Sequence, residues 1–220
     1  MGGFFITFEG IEGSGKTTQL SILTDRLSKH GLSYLCSKEP GGTDLGKELR
    51  SLLLTPRSRG KKWCLEAELL LFYADRAQHV ETVIKPALMG GQLVILDRFE
   101  DSTRAYQGAQ GISEKTLTVL RQIVLKTLRP DLTLLFDAEP EKMLSRANSR
   151  NREKPNFTET RFDQESLCFH RKVRKRFLEI ASTEPERVCI VAADGSMEAI
   201  ADNVWSLIVP KLNAAGFSLR

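Results

Sequence analysis

The 220-residue chain has no apolar run that approaches the roughly 18 residues a membrane-spanning helix needs. Its longest runs, such as Leu69 to Ala74, suit strands or core helices. It has no basic n-region and no cleavage site of a secretory leader, since Met1-Gly2-Gly3 passes straight into apolar sequence. No membrane partner is expected, and a cytoplasmic location is. Cysteine is scarce and scattered: Cys36, Cys64, Cys168 and Cys189 form no C-x-x-C pair, which argues against a zinc site and against a disulfide framework. Internal repeats, linker-like composition and low-complexity tracts are also missing, so a single domain spanning 1–220 is expected.

What is present is concentrated first at the N-terminus. An apolar, β-branched run, Phe4-Phe5-Ile6-Thr7-Phe8, is followed at once by Gly10-Ile11-Glu12-Gly13-Ser14-Gly15-Lys16-Thr17, which satisfies G-x-x-x-x-G-K-[ST] at every fixed position. The glycines let successive backbone N–H groups turn into one concavity. The helix that begins near Lys16 adds the positive end of its dipole. Polyphosphate fits such a cradle, with Lys16 reaching the β- and γ-phosphates and the Thr17 hydroxyl placed for Mg²⁺. Gly10 to Thr18 is therefore the expected ATP-binding segment. A glycine-rich turn that binds nothing is the plainer alternative, and strand before and helix after argue against it.

Strand-like and helix-like stretches alternate through the chain, which predicts an α/β fold: a five-stranded parallel sheet with helices on both faces. Strands are expected at Phe4–Glu9, Ser33–Ser37, Gln92–Asp97, Asp131–Asp137 and Arg187–Ala192. Helices are expected at Lys16–His30, Thr43–Leu54, Glu66–Met89 (long or broken), Ser102–Gln107, Ser113–Leu128, Pro140–Asn148, Gln164–Ser182 and Met197–Asn213. The run Leu93-Val94-Ile95-Leu96 sets Asp97 at the carboxyl edge of a buried strand, where ligands of open α/β sheets bind. Asp97 and Thr17 are the candidate metal residues. Asp137 also ends a strand and is assigned no chemistry.

The net charge of +4 is unevenly spread, because Lys142 to Arg176 holds eleven lysines and arginines against four acidic residues. Such a patch is able to hold nucleic-acid phosphates, but it lacks the interleaved aromatics of a single-strand platform, and a nearer polyanion is already implied. No nucleic-acid partner is expected. Within it, 146–163 is polar, proline-interrupted and arginine-rich, and reads as a mobile lid that closes over phosphates. A solvated helix hairpin is the alternative.

Four further blocks narrow the reading: Glu39-Pro40-Gly41-Gly42-Thr43, Leu71-Phe72-Tyr73-Ala74-Asp75-Arg76-Ala77-Gln78, Asp97-Arg98, and Ser102-Thr103-Arg104-Ala105-Tyr106-Gln107-Gly108. With the P-loop they resemble, in order and from Phe4 to about Leu212, the bacterial form of the thymidylate kinase family. The resemblance implies a three-layer P-loop kinase fold and transfer of a phosphoryl group from ATP to dTMP with Mg²⁺, for dTTP supply. It also implies a homodimer, for which Glu66–Met89 is a candidate surface. The resemblance implies an acceptor site built from Glu39, Pro40, Arg50, Phe72, Arg76, Arg98, Ser102, Thr103, Tyr106 and Gln107. In it, Arg50 and Arg98 hold the acceptor phosphate, Phe72 stacks on thymine, and Arg76 donates to a thymine carbonyl. Thr103 and Gln107 complete the polar edge, and Tyr106 crowds the 2′ position. Glu12 falls near the sugar 3′-hydroxyl and the metal. Read from sequence alone, core packing is the favoured role for Phe72, and Arg76 and Gln107 would be solvated faces; only the resemblance reverses this.

In some family members a P-loop arginine assists the transfer; Gly13 stands at that position here. The missing cation is then expected from the lid, first Arg150 or Arg152, next Arg146, with Arg161 also available. The sequence departs from the family at Lys154-Pro155-Asn156-Phe157, which reads as a small insertion, and at Lys38, where arginine is common. The expected catalytic set is Lys16, Glu12, Arg98, Arg150 and Arg152. Two other readings stay open: a related P-loop kinase for another nucleotide or nucleoside, and a non-enzymatic ATP-binding switch.

Overall fold

Five strands, β1 (Phe4–Glu9), β2 (Tyr34–Lys38), β3 (Leu93–Asp97), β4 (Leu132–Asp137) and β5 (Val188–Ala192), form one parallel sheet in the order β2-β3-β1-β4-β5. The computed structural model describes residues 2–56, 62–153 and 161–219, with backbone alone for 150–153. β1, β3 and β4 read as near-continuous apolar runs because helices cover both of their faces, the buried hydroxyls of Thr7 and Thr133 satisfying each other at 2.7 Å. Within each strand, alternate residues go to opposite layers. Ile6, Phe8 and Ile95 enter the larger core, while Phe5, Val94 and Leu96 pack with Val80, Ile84 and Phe99 on the other side. Phe8 stacks on Phe136 with ring centroids 5.2 Å apart. Burying each such side chain contributes about 2–3 kcal/mol.

The helices are α1 (Lys16–Lys29), α2 (Asp44–Leu54), α3 (Leu65–His79), α4 (Lys85–Met89), α5 (Glu100–Gln110), α6 (Glu114–Leu125), α7 (Pro140–Glu153), α8 (Leu167–Thr183) and α9 (Met197–Ala214). Hydroxyl caps start four of them: Thr43, Ser113, Ser166 and Ser196 each accept a backbone N–H from the first turn. Each cap stabilises its helix by about 1 kcal/mol.

Several elements differ in detail from the expected ranges: α6 ends at Leu125 instead of Leu128, α8 starts at Leu167 instead of Gln164, and the Glu66–Met89 stretch takes the broken of its two expected forms. The predicted helix Glu66–Met89 is interrupted by a π-helical turn, Val80–Ile84, between α3 and α4. Pro86, in the first turn of α4, has no N–H for the preceding turn and its ring crowds it, so the helix widens by one residue there. α5 begins two residues before the expected Ser102. Its cap comes from a distant strand: Glu9 Oε1, at the end of β1, accepts from the N–H groups of Phe99 (2.8 Å) and Ser102 (3.2 Å). α7 continues to Glu153, beyond the expected end at Asn148, so the first part of the predicted lid is helix. Lys154-Pro155-Asn156-Phe157 lies outside the described residues. The chain is described again from Arg161, whose N–H donates to the Leu54 carbonyl at 2.9 Å.

This topology gathers the carboxyl ends of β1, β2 and β3 at one edge. From β1 the chain reaches β2 and β3 on one side and β4 and β5 on the other, which is where an open parallel sheet forms its ligand crevice.

Candidate active site

The loop after β1 wraps its own lysine. Lys16 Nζ donates to the carbonyls of Gly10 and Ile11, both at 2.9 Å, and to Ser14 Oγ at 3.0 Å. Burial, and then the neighbouring Arg98 charge, lower the Lys16 ammonium to about 8. Two glycines shape the loop. At Gly10 (φ 139°) a Cβ would stand 2.5 Å from the Phe136 carbonyl oxygen, and at Gly13 (φ 74°) only 1.9 Å from that of Met143 on α7. The position that carries arginine in some P-loops is thus filled here by helix backbone.

Arg98, the residue after β3, reaches into this loop. Its backbone takes φ 71°, a left-handed conformation that costs a non-glycine residue about 1–2 kcal/mol. Its Nη1 donates to the Gly10 carbonyl (2.9 Å) and Ser102 Oγ (3.1 Å), and its Nη2 to Glu12 Oε1 (3.0 Å). Glu12 Oε2 accepts from the Tyr106 hydroxyl at 2.7 Å. Burial pushes the Glu12 carboxyl up, but Arg98 and Lys16 outweigh it and hold the group below its ordinary range. Arg50, on α2, donates to the Pro40 carbonyl at 2.8 Å. Burial and the Arg98 charge lower its guanidinium, as expected where cations are gathered for an anion. Thr17 Oγ1 donates to Asp97 Oδ2 at 3.3 Å, while Asp97 Oδ1 is buried and has no hydrogen-bond partner among the described residues.

Opposite the P-loop stands a wall from α3 and α5. Arg76 is fully buried: Nε donates to Glu39 Oε2 (2.8 Å), Nη1 to Glu100 Oε2 and Thr103 Oγ1 (both 3.0 Å), and Nη2 to the Phe99 carbonyl (3.0 Å). Glu39 also meets His79 Nδ1 at 3.0 Å. Two carboxylates more than offset burial and raise the Arg76 guanidinium, so it is a fixed cation. Four of its five N–H groups are engaged, and the fifth, on Nη2, is left. Phe72 is 8% exposed, packs into the core and also lines the cavity. Gln107 Nε2 donates to Glu68 Oε1 at 3.1 Å. P-loop and wall enclose a cavity of about 460 Å³.

The model of the thymidylate kinase family matches residues 8–204. The chain belongs to the thymidylate kinase family. It is 46% identical to the thymidylate kinase of Synechococcus sp. over 212 residues, covering 96% of this chain and 97% of that one. It is 44% identical to that of Syntrophotalea carbinolica, covering 97% and 98%. The crystal structure of thymidylate kinase from Ehrlichia chaffeensis is similar in fold, with a TM-score of 0.74 at 33% identity and coverage of 94% of this chain and 99% of that one.

In this thymidylate kinase family member the expected site residues are largely gathered. Glu12 to Thr18, Glu39, Pro40, Arg50, Phe72, Arg76, Asp97, Arg98, Ser102, Thr103, Tyr106 and Gln107 all line the one cavity. Gly10 and Ile11 form the loop beneath it without lining it. Arg76 and Gln107 are buried rather than a solvated face. Of the lid arginines, Arg146 sits on α7 with Nη1 2.5 Å from the Ala193 carbonyl oxygen. Arg161 is engaged with α2 and α3, its Nε donating to the Leu53 carbonyl at 2.8 Å and its Nη2 2.5 Å from Glu68 Oε1. The side chains of Arg150 and Arg152 lie outside the described residues.

Sequence reading missed several contributors. Glu9 ends β1 as Asp97 ends β3, so the same signal was available for it. Ser102 Oγ donates to Glu9 Oε2 at 2.6 Å. His170, on α8, is fully buried, with Nε2 on the Phe162 carbonyl at 3.1 Å and Nδ1 3.5 Å from Glu12 Oε2. Phe162 and Asp163, from the end of the predicted lid, and Asp75, which accepts from the Gly41 N–H at 3.1 Å, line the cavity too. Apart from Glu9, no short-range pattern marks these, since most of their partners are far away in sequence.

Proposed function

We propose that this kinase transfers the γ-phosphoryl group of ATP to dTMP, giving dTDP and ADP. One observation carries the reading: a single cavity has a phosphate-binding loop on one side and, on the other, an aromatic ring, a fixed arginine and an amide suited to a pyrimidine, with Arg98 between them. The acceptor is itself a phosphate whose second pKa lies near 6, so it is ionised without a side-chain base. Positioning and charge neutralisation then supply the catalysis. Gly10 to Thr18 hold ATP, with Lys16 exchanging loop carbonyls for phosphate oxygens. Arg98 and Arg50 hold the acceptor phosphate. Arg98 is kept in place by Glu12, Ser102 and the Gly10 carbonyl, so it is oriented before the acceptor arrives. Phe72 stacks on thymine, the remaining Arg76 N–H meets a base carbonyl, and Thr103 fixes Arg76. Tyr106 stands against the sugar, tied to Glu12. A lid at about 146–163 brings Arg150 or Arg152 to the transferring group, because Gly13 supplies no cation.

Mg²⁺ fits the residues present. A hydroxyl and a carboxylate with a free buried oxygen, Thr17 and Asp97, are the oxygen donors that a phosphate-bound Mg²⁺ takes, directly or through water. When bound it neutralises charge on the ATP phosphates. We also propose that a second copy of the chain packs against α3 and α6, two helices in contact that expose Leu70, Val119 and Ile123. A cytoplasmic setting suits four free cysteines, and no helix of the described residues is long and apolar enough to cross a membrane.

A coupled assay over dTMP, dUMP, dCMP and dAMP tests the reaction. dTMP should be preferred at least tenfold, and equal turnover of all four would remove the specificity assigned here.

A further inference from the structure

The amide of Gln107 is not free to choose which end faces the cavity. It is 1% exposed, and its Nε2 donates to Glu68 Oε1 at 3.1 Å and to Gln110 Oε1 at 3.5 Å. Glu68, on α3, is 3% exposed and forms an ion pair with Arg161, whose Nη2 lies 2.5 Å from the same oxygen. A carboxylate paired with a guanidinium accepts hydrogen bonds and donates none. Whatever faces Glu68 must therefore be the –NH₂ end of the amide, and the end left for the cavity is the carbonyl.

Resting on the reading that this wall takes the pyrimidine base, we propose that Glu68 is a positioning residue for base selection: by fixing the Gln107 amide it makes the cavity accept a pyrimidine-2,4-dione and refuse a 4-aminopyrimidine. The dione carries N3–H, a donor that the Gln107 carbonyl can accept. A 4-aminopyrimidine carries a bare N3 lone pair, which meets the carbonyl oxygen acceptor to acceptor. Buried sites discriminate best through polar groups left unpaired by the wrong ligand.

Arg161 keeps this arrangement in register. Its N–H and Nε are held by the carbonyls of Leu54 and Leu53 at 2.9 and 2.8 Å, and its guanidinium lies 4.1 Å from the centroid of the Phe162 ring, which lines the cavity. The end of the predicted lid is thus linked to the base wall through Glu68 and Gln107.

The test compares kcat/KM for dTMP and dCMP in Glu68→Gln, Gln107→Leu and Arg161→Gln, each with a thermal melt. Glu68→Gln can present either a donor or an acceptor, so the Gln107 amide can reverse. The dTMP:dCMP ratio should fall at least tenfold, through a higher KM for dTMP, with kcat within about threefold of the parent. Arg161→Gln leaves α3 untouched, should shift the ratio the same way by a smaller factor, and supplies the readout if Glu68→Gln fails to fold. A parallel loss of kcat/KM for both nucleotides, tracking a lower melting temperature, would make Glu68 merely structural and overturn the proposal. An altered ratio in Gln107→Leu with none in Glu68→Gln and Arg161→Gln would overturn it while sparing the base-site reading. No change in Gln107→Leu would overturn the base-site reading itself.

Discussion

Arg98 Nη2 lies 3.0 Å from Glu12 Oε1, so the cation that follows β3 is built into the loop that follows β1. The pair ties the two halves of the cavity together. With its other nitrogen on the Gly10 carbonyl and Ser102 Oγ, the planar guanidinium spans three partners that a point charge cannot reach at once.

Arg98→Lys is therefore expected to lower kcat by about 100-fold or more, the scale seen when one preorganised charge-stabilising donor is lost. The protein should still fold, since lysine keeps the charge beside Glu12. Steady-state kinetics with a far-UV circular dichroism spectrum check this; a drop under fivefold would separate Arg98 from the transfer.

Gly13→Ala should be severely destabilising. The new Cβ would lie 1.9 Å from the Met143 carbonyl oxygen at φ 74°, so both the loop and α7 must shift. Strain and displacement together should cost about 2–4 kcal/mol, read as a lower urea midpoint with weaker ATP binding. An unchanged midpoint would mean that α7 does not rest on the loop in solution.

Glu9 carries a pH signature. Burial first, and then the nearby Asp101, raise its carboxyl from 4.5 to about 7. The folded state holds this proton more tightly than the unfolded chain, so the contribution is fully present below pH 4.5 and is lost as pH rises through about 7. Glu9→Gln keeps the shape and cannot ionise. Relative to the variant, the parent should lose about 3 kcal/mol between pH 4.5 and 8, measured by urea titration at several pH values. Parallel pH profiles would contradict it.

Phe72→Leu separates the two roles open to this residue. Leucine retains most of the apolar volume but offers no ring face. If Phe72 stacks on the base, KM for dTMP should rise about tenfold, because base–aromatic stacking contributes roughly 1–3 kcal/mol. The melting temperature should move by only about 2–3 °C. The reverse pattern, a large melting shift with KM intact, would make it a core residue alone.

Local order and local pattern left a clear record in the residues. The parallel sheet was legible because β1, β3 and β4 are short apolar runs, and the P-loop because its glycines, lysine and threonine lie within eight consecutive positions. Asp97 was legible as the polar end of such a run. The π turn before Pro86 was only half legible, since proline announces a disturbance but not its form. α7 ran past its expected end because a polar, arginine-rich stretch carries no apolar period to mark its limit.

Sequence by itself determined the fold class and the phosphate loop, because each rests on spacing along the chain, and the resemblance to a family supplied most, but not all, of the residues that line the cavity. Only the tertiary structure decided what holds those residues in position. Glu9 caps a helix about ninety positions away, Glu68 orients Gln107 under the hold of Arg161, and Met143 fills the space above Gly13. These partners are brought together by packing across β1, α3, α5 and α7, and a buried polar group takes its role from whichever neighbour satisfies it.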